Sequence, residues 1–267
     1  MVKAVRPKKN LGQHFLTDLS VAKRIADTMA GYTATPLLEV GPGMGVLTRF
    51  LLDARHDLKV VELDSESVEY LGVNFPDLDG RIIAHDFLKL DLKRIYGDAH
   101  FNVIGNYPYN ISSQIFFKVL DYKDQIDCCS GMLQREVAQR IAAPPGSKTY
   151  GILSVLLQAW YSIEYLFTVD EHVFNPPPKV KSGVIRLTRN DVKSLGCDES
   201  LFKTIVKTSF GQRRKTLRNS LRGLLPKDSP LLAHPIMAQR PEQLSVQQFI
   251  DLTNMVGEAK AYDSERK

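Results

Sequence analysis

The residues with the most specific chemistry form the tetrapeptide Asn106-Tyr107-Pro108-Tyr109, which follows a short apolar run. The N6 amine of adenine is a poor nucleophile because its lone pair is delocalised into the ring. The side-chain oxygen of Asn106 and a backbone carbonyl beside Pro108 can each accept one hydrogen bond from such an amine. The nitrogen then becomes more tetrahedral and its lone pair can point at a methyl donor. Proline fixes φ and lacks an N–H, which holds the carbonyl in place.

The last residue of the tetrapeptide, Tyr109, can stack on a base that has been turned out of its helix. Catalysis at such a site depends on positioning and in-line displacement, without a strong general base. The pattern therefore predicts Asn106 and Tyr109 as catalytic residues. An asparagine close to a proline also marks ordinary turns, so the interpretation depends on what surrounds the tetrapeptide.

A glycine-rich segment, residues 41–45, follows residues 37–40, which are apolar except for Glu39. Glycine lets the backbone turn sharply and approach a ligand closely, and a helix beginning near Val46 would point its N-terminal amides at that ligand. The dinucleotide fingerprint G-x-G-x-x-G requires glycine where this chain has Val46. The spacing G-x-G-x-G is more typical of sites for S-adenosylmethionine, a cofactor without a pyrophosphate.

Two acids follow at the ends of the next apolar runs. Glu62 lies 21 residues after Gly41, where a carboxylate can accept hydrogen bonds from both ribose hydroxyls. Asp86 can accept from the adenine amine of the cofactor, with Phe87 as an apolar wall. Ligands of open parallel sheets bind off the carboxyl ends of the strands. The two acids, Gly41 and Asn106 are therefore predicted to share one edge and to hold S-adenosylmethionine.

Strands and helices must alternate to bring these residues together, and the apolar patterns do so. Strands are predicted at residues 37–40, 59–63, 81–84, 101–104, 128–133, 163–168 and 183–188. Helices are predicted at residues 46–52, 65–73, 113–120, 135–143 and 150–161. This alternation predicts an α/β fold, with a Rossmann-like methyltransferase sheet that is parallel and covered on both faces.

The pattern changes near residue 191, after which helices alone are predicted, at residues 199–210, 213–224 and 245–256. Residues 1–190 are therefore predicted to be the cofactor-binding methyltransferase domain, and residues 191–267 a small all-α domain that binds RNA. The first ten residues are predicted to be a flexible basic arm. Their basic side chains are Lys3, Arg6, Lys8 and Lys9.

Residues 201–227 contain no acidic residue. On the predicted helix, four-residue spacing would put Arg214, Arg218 and Arg222 on one face. Such a stripe neutralises phosphates and makes binding salt-dependent, although a charge run can also be a solvated helix face. The predicted RNA-binding residues are Arg213, Arg214, Lys215, Arg218 and Arg222. Phosphate contacts would position the RNA without reading its sequence.

Composition limits the partners and the compartment. The net charge of +5 is compatible with a polyanionic partner. The three cysteines, Cys128, Cys129 and Cys197, lack zinc-like spacing, and their odd number argues against a disulfide framework. We therefore expect no metal and a reduced, cytoplasmic setting. The apolar runs are too short to span a bilayer, so no membrane partner is expected.

With these motifs, the sequence closely resembles the ribosomal RNA adenine dimethyltransferase family of the bacterial KsgA type, along nearly the whole chain. The matching blocks are residues 9–16, 39–45, 106–112, 132–137, 174–182, 213–219 and 240–244. The resemblance implies four methyl transfers from S-adenosylmethionine, two to each of two adjacent adenines near the 3′ end of 16S rRNA. It also implies a late assembly intermediate of the 30S subunit as substrate, and a monomeric enzyme is expected.

The resemblance assigns further site residues. It implies cofactor contacts from His14 and Leu16, in addition to the edge residues already named, and a target adenine held between Tyr109 and Phe174. Two positions depart from the family pattern. Tyr107 stands where the family usually has Leu or Ile. We expect activity to survive because the mechanism needs only the backbone carbonyl of this residue, but the pocket wall beside the base no longer follows from the family pattern. His14 stands where Asn is common.

Other functions share parts of these patterns. A large-subunit rRNA methyltransferase of the erythromycin-resistance type would have the same fold and tetrapeptide, but residues 213–219 and 240–242 favour the small-subunit family. A non-catalytic ribosome assembly factor would bind RNA without methyl transfer, and the intact glycine segment and Asn106 speak against it. An NAD-dependent oxidoreductase would need a different glycine spacing.

Overall fold

A computed structural model describes residues 5–8 and 11–264 of the chain. Its contacts divide the chain into two compact units. The first contains the chain as far as Gln139 together with Ser162–Arg189, and the second contains Arg140–Tyr161 together with the chain from Asn190 onward. The predicted boundary at residue 191 put residues 140–161 in the first domain, whereas the contacts put them in the second unit. The assignment of functions to the two domains stays a prediction.

The first unit is built on a seven-stranded mixed sheet. The strands of the chain are β1 (Phe15–Leu16), β2 (Leu37–Val40), β3 (Leu58–Glu62), β4 (Ile82–Ala84), β5 (Phe101–Asn106), β6 (Ile126–Gln134), β7 (Tyr161–Val169), β8 (Phe174–Asn175) and β9 (Ser182–Arg189). The sheet has the order β4-β3-β2-β5-β6-β9-β7, while β1 and β8 form a separate antiparallel pair. The five strands from β4 to β6 are parallel, and β9 runs antiparallel to β6. The predicted Rossmann-like α/β sheet is confirmed, as a mixed rather than an all-parallel sheet.

The register of the central strands creates the edge on which the site is built. β2 is buried along its whole length, as expected for a strand covered on both faces. Val40 at its end pairs with Val61 of β3 on one side and with Gly105 of β5 on the other. Because the three strands are parallel and end together, the glycine segment, Glu62 and Asn106 follow at neighbouring positions.

Helices follow most of the strands in the first unit and, together with short 3-10 turns, are the regular elements of the second unit from residue 190 onward. They are α1 (Leu19–Ala26), α2 (Thr48–Asp53), α3 (Ser65–Asn74), α4 (Lys93–Tyr96), α5 (Ser112–Asp121), α6 (Arg135–Ala142), α7 (Ile152–Gln158), α8 (Glu199–Gly211), α9 (Leu217–Ser220) and α10 (Val246–Ser264). Acids begin several of them because a carboxylate satisfies free N–H groups of the first turn. Asp18 caps α1, Asp64 caps α3 and Asp198 caps α8. Among the described residues, no helix is long and apolar enough to cross a bilayer.

The second unit corrects one predicted helix. In place of a helix over residues 213–224, the chain forms turns after α8, the four-residue α9 and a 3-10 turn at Arg222–Leu224. Thr216 has an extended backbone, with φ −69° and ψ 159°, which interrupts helical hydrogen bonding. The predicted stripe of Arg214, Arg218 and Arg222 on one helix face is therefore wrong.

Residues 140–161 belong with the second unit because their aromatic and apolar side chains pack there. Tyr150 lies edge-on against Phe210 of α8, with ring centroids 6.0 Å apart. α7 packs against α8 and α10. The helix predicted for residues 150–161 ends at Gln158, and Tyr161 already begins β7.

Candidate active site

A cavity lies at the carboxyl ends of β2, β3, β4 and β5. Its lining contains every residue predicted to bind the cofactor and one of the predicted aromatic residues. These are His14, Leu16, Gly41, Glu62, Asp86, Asn106 and Tyr109. The structure thus brings together residues from five separate parts of the chain, while their individual roles stay predictions.

The glycine segment has the backbone that its composition predicts. Gly41, Gly43 and Gly45 have φ values of 69°, 55° and 73°, a left-handed region that other residues rarely adopt. A Cβ on Gly43 would lie 3.0 Å from the ring of Phe15. The segment is therefore closed against the chain at β1, and side chains at these glycines would disturb both backbones.

Glu62 connects the glycine segment to the end of β3 by hydrogen bonds. Its Oε2 accepts from Gly43 N at 3.0 Å, and its Oε1 accepts from Leu63 N at 2.8 Å and Asp64 N at 2.9 Å. Burial raises the pKa of Glu62, and the three N–H groups act in the opposite direction. A carboxylate offers about four acceptor positions, so Glu62 retains capacity for a hydroxyl donor in the cavity.

Glu39 is a cavity residue that the sequence-based prediction missed. Its side chain is fully buried in β2, and Thr48 Oγ1 donates to its Oε2 at 2.7 Å. Burial raises the pKa of Glu39 to about 8, so this carboxyl is mainly protonated at neutral pH. The feature of the sequence that could have identified Glu39 is an acidic residue inside an otherwise apolar strand.

Asp86 begins the wall of the cavity that follows β4. Its Oδ1 accepts from Leu88 N at 2.9 Å and caps the 3-10 turn Phe87–Lys89. Phe87 is 5% exposed and lines the cavity. Because the cap uses Oδ1, Oδ2 is the oxygen that can accept from an amine in the cavity, and Lys89 Nζ lies 3.9 Å from it.

Asn106 ends β5 with its amide already oriented. Its Nδ2 donates to the backbone oxygen of His14 at 3.3 Å. The amide oxygen of Asn106 is therefore the atom left to accept a hydrogen bond. This is the arrangement that the proposed steering of an adenine amine requires.

The departure at Tyr107 has a structural explanation. Its ring is 1% exposed and points into the sheet, where its hydroxyl donates to Ser130 O at 2.7 Å. A Cβ on Gly105 would lie 2.8 Å from this ring, and a Cβ on Gly131 would lie 2.6 Å from it. Two glycines on neighbouring strands thus make the slot that the larger side chain fills. The ring is thus held inside the sheet, although Tyr107 is also among the residues that line the cavity.

Tyr109 and His14 stand at the mouth of the cavity. Their rings are stacked, with centroids 5.5 Å apart and planes at 28°. The Tyr109 hydroxyl is hydrogen-bonded to Ser182 Oγ at 2.5 Å, and His14 Nδ1 donates to Pro176 O at 2.8 Å. Burial raises the pKa of Tyr109, so its ring is neutral and can offer a face for stacking.

Phe174 is the predicted catalytic residue that the structure does not bring into the cavity lining. Its side chain is 4% exposed and belongs to the hydrophobic core of the first unit. In the pairing of β1 with β8, Phe174 is the register partner of Leu16. Stacking on an adenine therefore requires this ring to leave the core.

The chain before β1 is held across the end of β3. Lys8 Nζ lies 2.5 Å from Asp64 Oδ1 and 3.0 Å from Glu66, and Gln13 Nε2 donates to Asp64 Oδ2 at 3.3 Å. Lys8 was predicted to be part of a flexible basic arm, but its side chain is bound to the start of α3. The remainder of that prediction, for residues 1–4, 9 and 10, lies outside the described residues.

The predicted RNA-binding residues lie in the second unit. Arg213 is partly buried: its Nη2 donates to Ser147 O at 3.3 Å, and its Nε lies 4.0 Å from Glu242. The other four are exposed and stand on turns or short helices: Arg214, Lys215, Arg218 and Arg222. Their exposure leaves them available to phosphates, but their role in RNA binding stays a prediction.

The distribution of metal-ligating side chains bears on the expectation of a metal-free enzyme. In residues 5–8 and 11–264, no three His, Cys, Asp or Glu side chains converge as a metal site would require. Cys128 and Cys129 are buried in β6, and burial raises the pKa of each thiol to about 12. Both are therefore inert core residues.

Comparison with known proteins decides the family. The sequence profile described as ribosomal RNA adenine dimethylase matches residues 4–258. This chain belongs to the ribosomal RNA adenine dimethylase family. The ribosomal RNA small subunit methyltransferase A of Parabacteroides distasonis is 72% identical over 252 residues, which cover 94% of each chain. The protein of the same name from Phocaeicola vulgatus is 67% identical over 252 residues, covering 94% of this chain and 90% of the relative.

Solved structures of similar proteins support the fold of this dimethylase. A dimethyladenosine transferase from Plasmodium falciparum superposes with a TM-score of 0.77 at 21% identity, covering 92% of this chain and 98% of the other. The 23S rRNA methyltransferase ErmE superposes with a TM-score of 0.65 at 25% identity, covering 90% and 99%.

The dimethylase is therefore an enzyme that transfers methyl groups from S-adenosylmethionine to adenine in ribosomal RNA, and the resemblance stated from its motifs is confirmed. The groups that line the cavity fit that cofactor. The cavity has carboxylates at the ends of β3 and β4 for hydroxyls and an amine, Phe87 for a purine face, and a glycine segment that a ligand can approach closely. Val61 and Leu16 complete the apolar wall.

Proposed function

We propose that this enzyme dimethylates N6 of two adjacent adenines near the 3′ end of 16S rRNA, acting as a cytoplasmic monomer on an immature 30S subunit. The observation that carries the proposal is the orientation of Asn106, whose amide nitrogen is engaged by His14 O and whose oxygen is left as an acceptor beside the cavity. The choice of the small subunit is supported by relatives at 67–72% identity that are named small subunit methyltransferases.

On the cofactor side, the roles follow the strand ends. Glu62 accepts from a ribose hydroxyl at its remaining acceptor position, while the N–H groups of Gly43, Leu63 and Asp64 hold its carboxylate still. Asp86 Oδ2 accepts from the adenine amine, against the ring of Phe87. Gly41 lets the backbone approach the amino-acid part, and His14 and Leu16 close the cavity from the N-terminal side. When bound, S-adenosylmethionine supplies the methyl group on its sulfonium.

On the acceptor side, the protein positions an amine. Asn106 Oδ1 and the backbone oxygen of Tyr107 each accept one N6 hydrogen bond, which directs the nitrogen lone pair into the cavity. Tyr109 supplies one stacking face for the base. Phe174 supplies the other once its ring leaves the core. Placing two reactants in this geometry lowers the barrier mainly through orientation, which is worth up to about 7–11 kcal/mol in favourable intramolecular cases.

RNA binding in this proposal comes from the second unit. The exposed Arg214, Lys215, Arg218 and Arg222, with Arg213, contact phosphates rather than bases. They give affinity that falls as salt rises. Selection of the two adenines then depends on the shape of the particle and on the base pocket.

The test uses 30S particles from a strain that lacks the modification, with purified 50S particles and protein-free 16S rRNA in parallel. After incubation with enzyme and S-adenosylmethionine, the RNA is mapped by mass spectrometry. We expect two neighbouring dimethyladenines near the 3′ end of the 16S rRNA in the 30S sample. Methylation in the 50S sample alone would point to the large-subunit activity, and tight 30S binding without methyl transfer would point to an assembly factor.

A further inference from the structure

Lys118, on the last turn of α5, contacts the wall that begins at Asp86. Its Nζ donates to Leu88 O at 3.2 Å and to Leu90 O at 2.5 Å. Both carbonyls lie at the end of the 3-10 turn Phe87–Lys89, where carbonyl oxygens lack partners within the turn. An ammonium at that end satisfies them and favours the turn electrostatically.

The surroundings of Lys118 fix its position further. Its Nζ lies 5.5 Å from the ring centre of Phe87 and 5.6 Å from that of Tyr122, both within the range of cation–π attraction. Burial lowers the pKa of Lys118, and the carboxylates of Asp121, Asp86 and Asp91 act in the opposite direction. The ammonium is thus held between two carbonyls and the ring that lines the cavity.

The helix that carries Lys118 begins at the tetrapeptide. α5 starts at Ser112, whose hydroxyl donates to Tyr109 O at 3.3 Å. One short helix therefore contacts the turn that faces the target base at its beginning and the wall that faces the cofactor adenine at its end. Lys118 is the side chain through which the second contact is made.

We infer that Lys118 is a positioning residue, which places Asp86 and Phe87 against the adenine of S-adenosylmethionine without touching the cofactor itself. The inference rests on the cofactor placement given under the proposed function. Removing the ammonium leaves the carbonyls of Leu88 and Leu90 without this donor, so the 3-10 turn and the Asp86 carboxylate lose their fixed position. The consequence is weaker recognition of the adenine amine, with the ribose and amino-acid contacts unchanged.

The experiment measures recognition of that amine directly. Binding of S-adenosylhomocysteine is compared by calorimetry with binding of S-inosylhomocysteine, in which a carbonyl oxygen replaces the adenine amine. A hydrogen bond from an amine to a carboxylate is worth about 1.5–3 kcal/mol. We therefore expect the native enzyme to prefer the amine-bearing ligand by roughly tenfold or more. In Lys118→Met, this preference should fall to about twofold, together with a weaker affinity for S-adenosylhomocysteine.

The matched control is Lys93→Met, which removes the same charge from an exposed side chain near the same wall. It should keep the native preference. Lys118→Arg should restore part of the preference because it keeps a cationic donor, and Lys118→Gln serves if the methionine variant does not fold by circular dichroism.

An unchanged preference in a folded Lys118 variant would overturn the inference, as would a native enzyme that binds both ligands equally. A native enzyme that binds neither ligand would instead contradict the proposed cofactor site, so the two failures are distinguishable.

Discussion

In the proposed function, two regions carry the two halves of the activity, and they are built differently. One is the rim of the sheet, the cavity edge with Gly41, Glu62 and Asn106. The other is the basic segment of the second unit, residues 213–222. At the rim, side chains are fixed by hydrogen bonds with neighbouring backbone groups: Glu62 accepts from backbone N–H groups, and Asn106 donates to the backbone oxygen of His14. In the basic segment, Arg214, Lys215 and Arg218 are exposed on turns and a four-residue helix. The difference teaches that atomic positioning needs a rigid sheet edge, whereas attraction to phosphate needs only accessible charge. Changes at the rim should therefore have large and specific effects, and changes in the basic segment smaller and salt-dependent ones.

The largest effect is expected from Asn106→Ala. It removes the oxygen that orients the amine, and loss of one preorganised group at a reacting centre costs about 10²–10³-fold in kcat. Single-turnover methylation of 30S particles measures this loss. Asn74→Ala, on the exposed end of α3, is the control for the same change elsewhere. Normal turnover in a folded Asn106 variant would show that the side chain of Asn106 does not orient the amine, contrary to the proposed function.

The next effect concerns stability and pH at Glu39. Burial raises its pKa to about 8 from an ordinary 4.5, so the unfolded chain releases this proton at lower pH than the folded protein does. The stabilisation from this group is complete below about pH 4.5 and is lost as pH rises to about 8, by up to roughly 1.4 kcal/mol per unit.

Glu39→Gln does not titrate, so its stability relative to the native enzyme should rise by on the order of 3 kcal/mol between pH 5 and pH 8. Urea unfolding at several pH values measures the difference. Glu258→Gln, exposed on α10, should show no such trend. A constant difference at all pH values would mean that Glu39 is ionised in the fold.

Glu62→Gln tests whether fixed hydrogen bonds define the rim. The new NH2 group would face at least one backbone N–H that now donates to a carboxylate oxygen. An NH2 group in place of the accepting oxygen also leaves a ribose hydroxyl of the ligand without its acceptor, which costs about 1–3 kcal/mol, so affinity for S-adenosylhomocysteine should fall roughly 10- to 100-fold. Calorimetry measures it, with Glu69→Gln on the exposed face of α3 as control. Native affinity in the variant would show that the carboxylate is not needed.

The basic segment should respond more weakly. Replacing Arg214 and Arg218 by Glu should weaken 30S binding about tenfold, and the slope of log affinity against log salt should fall by roughly 0.7 for each phosphate that the variant no longer neutralises. Filter binding at several salt concentrations measures both quantities. The same charge change at Lys148 and Lys193, exposed in the same unit, should have little effect. Equal losses of affinity in both double variants would mean that net charge alone matters.

The smallest effect is expected at Tyr107. Tyr107→Phe removes the hydroxyl that donates to Ser130 O and should cost about 1 kcal/mol of stability. Methylation should stay near the native rate because only the backbone oxygen of this residue contacts the amine. Tyr107→Leu should cost more stability, since it leaves space beside Gly105 and Gly131. Equal unfolding midpoints for the two variants would contradict the described slot.

The sequence alone predicts the rim well because parallel strands that end together place their following residues side by side, as with Gly41, Glu62 and Asn106. It does not predict the slot for Tyr107, which depends on Gly131 of a neighbouring strand. Nor does it predict the protonation of Glu39, which is a consequence of burial. The helix expected at residues 213–224 fails because Thr216 is extended, a local choice that charge spacing does not reveal.

The pairing of β1 with β8 has a thermodynamic consequence. Leu16 lines the cavity, and its register partner Phe174 is the ring that moves to meet a base in the proposed function. We expect a shift of one strand to move its hydrogen-bonded partner, so that occupancy by one ligand changes the free energy of binding the other. Reciprocity then requires that RNA alter the affinity for the methyl donor by the same factor as the donor alters the affinity for RNA. We therefore expect the demethylated cofactor and the methylated base to affect each other's dissociation from the enzyme.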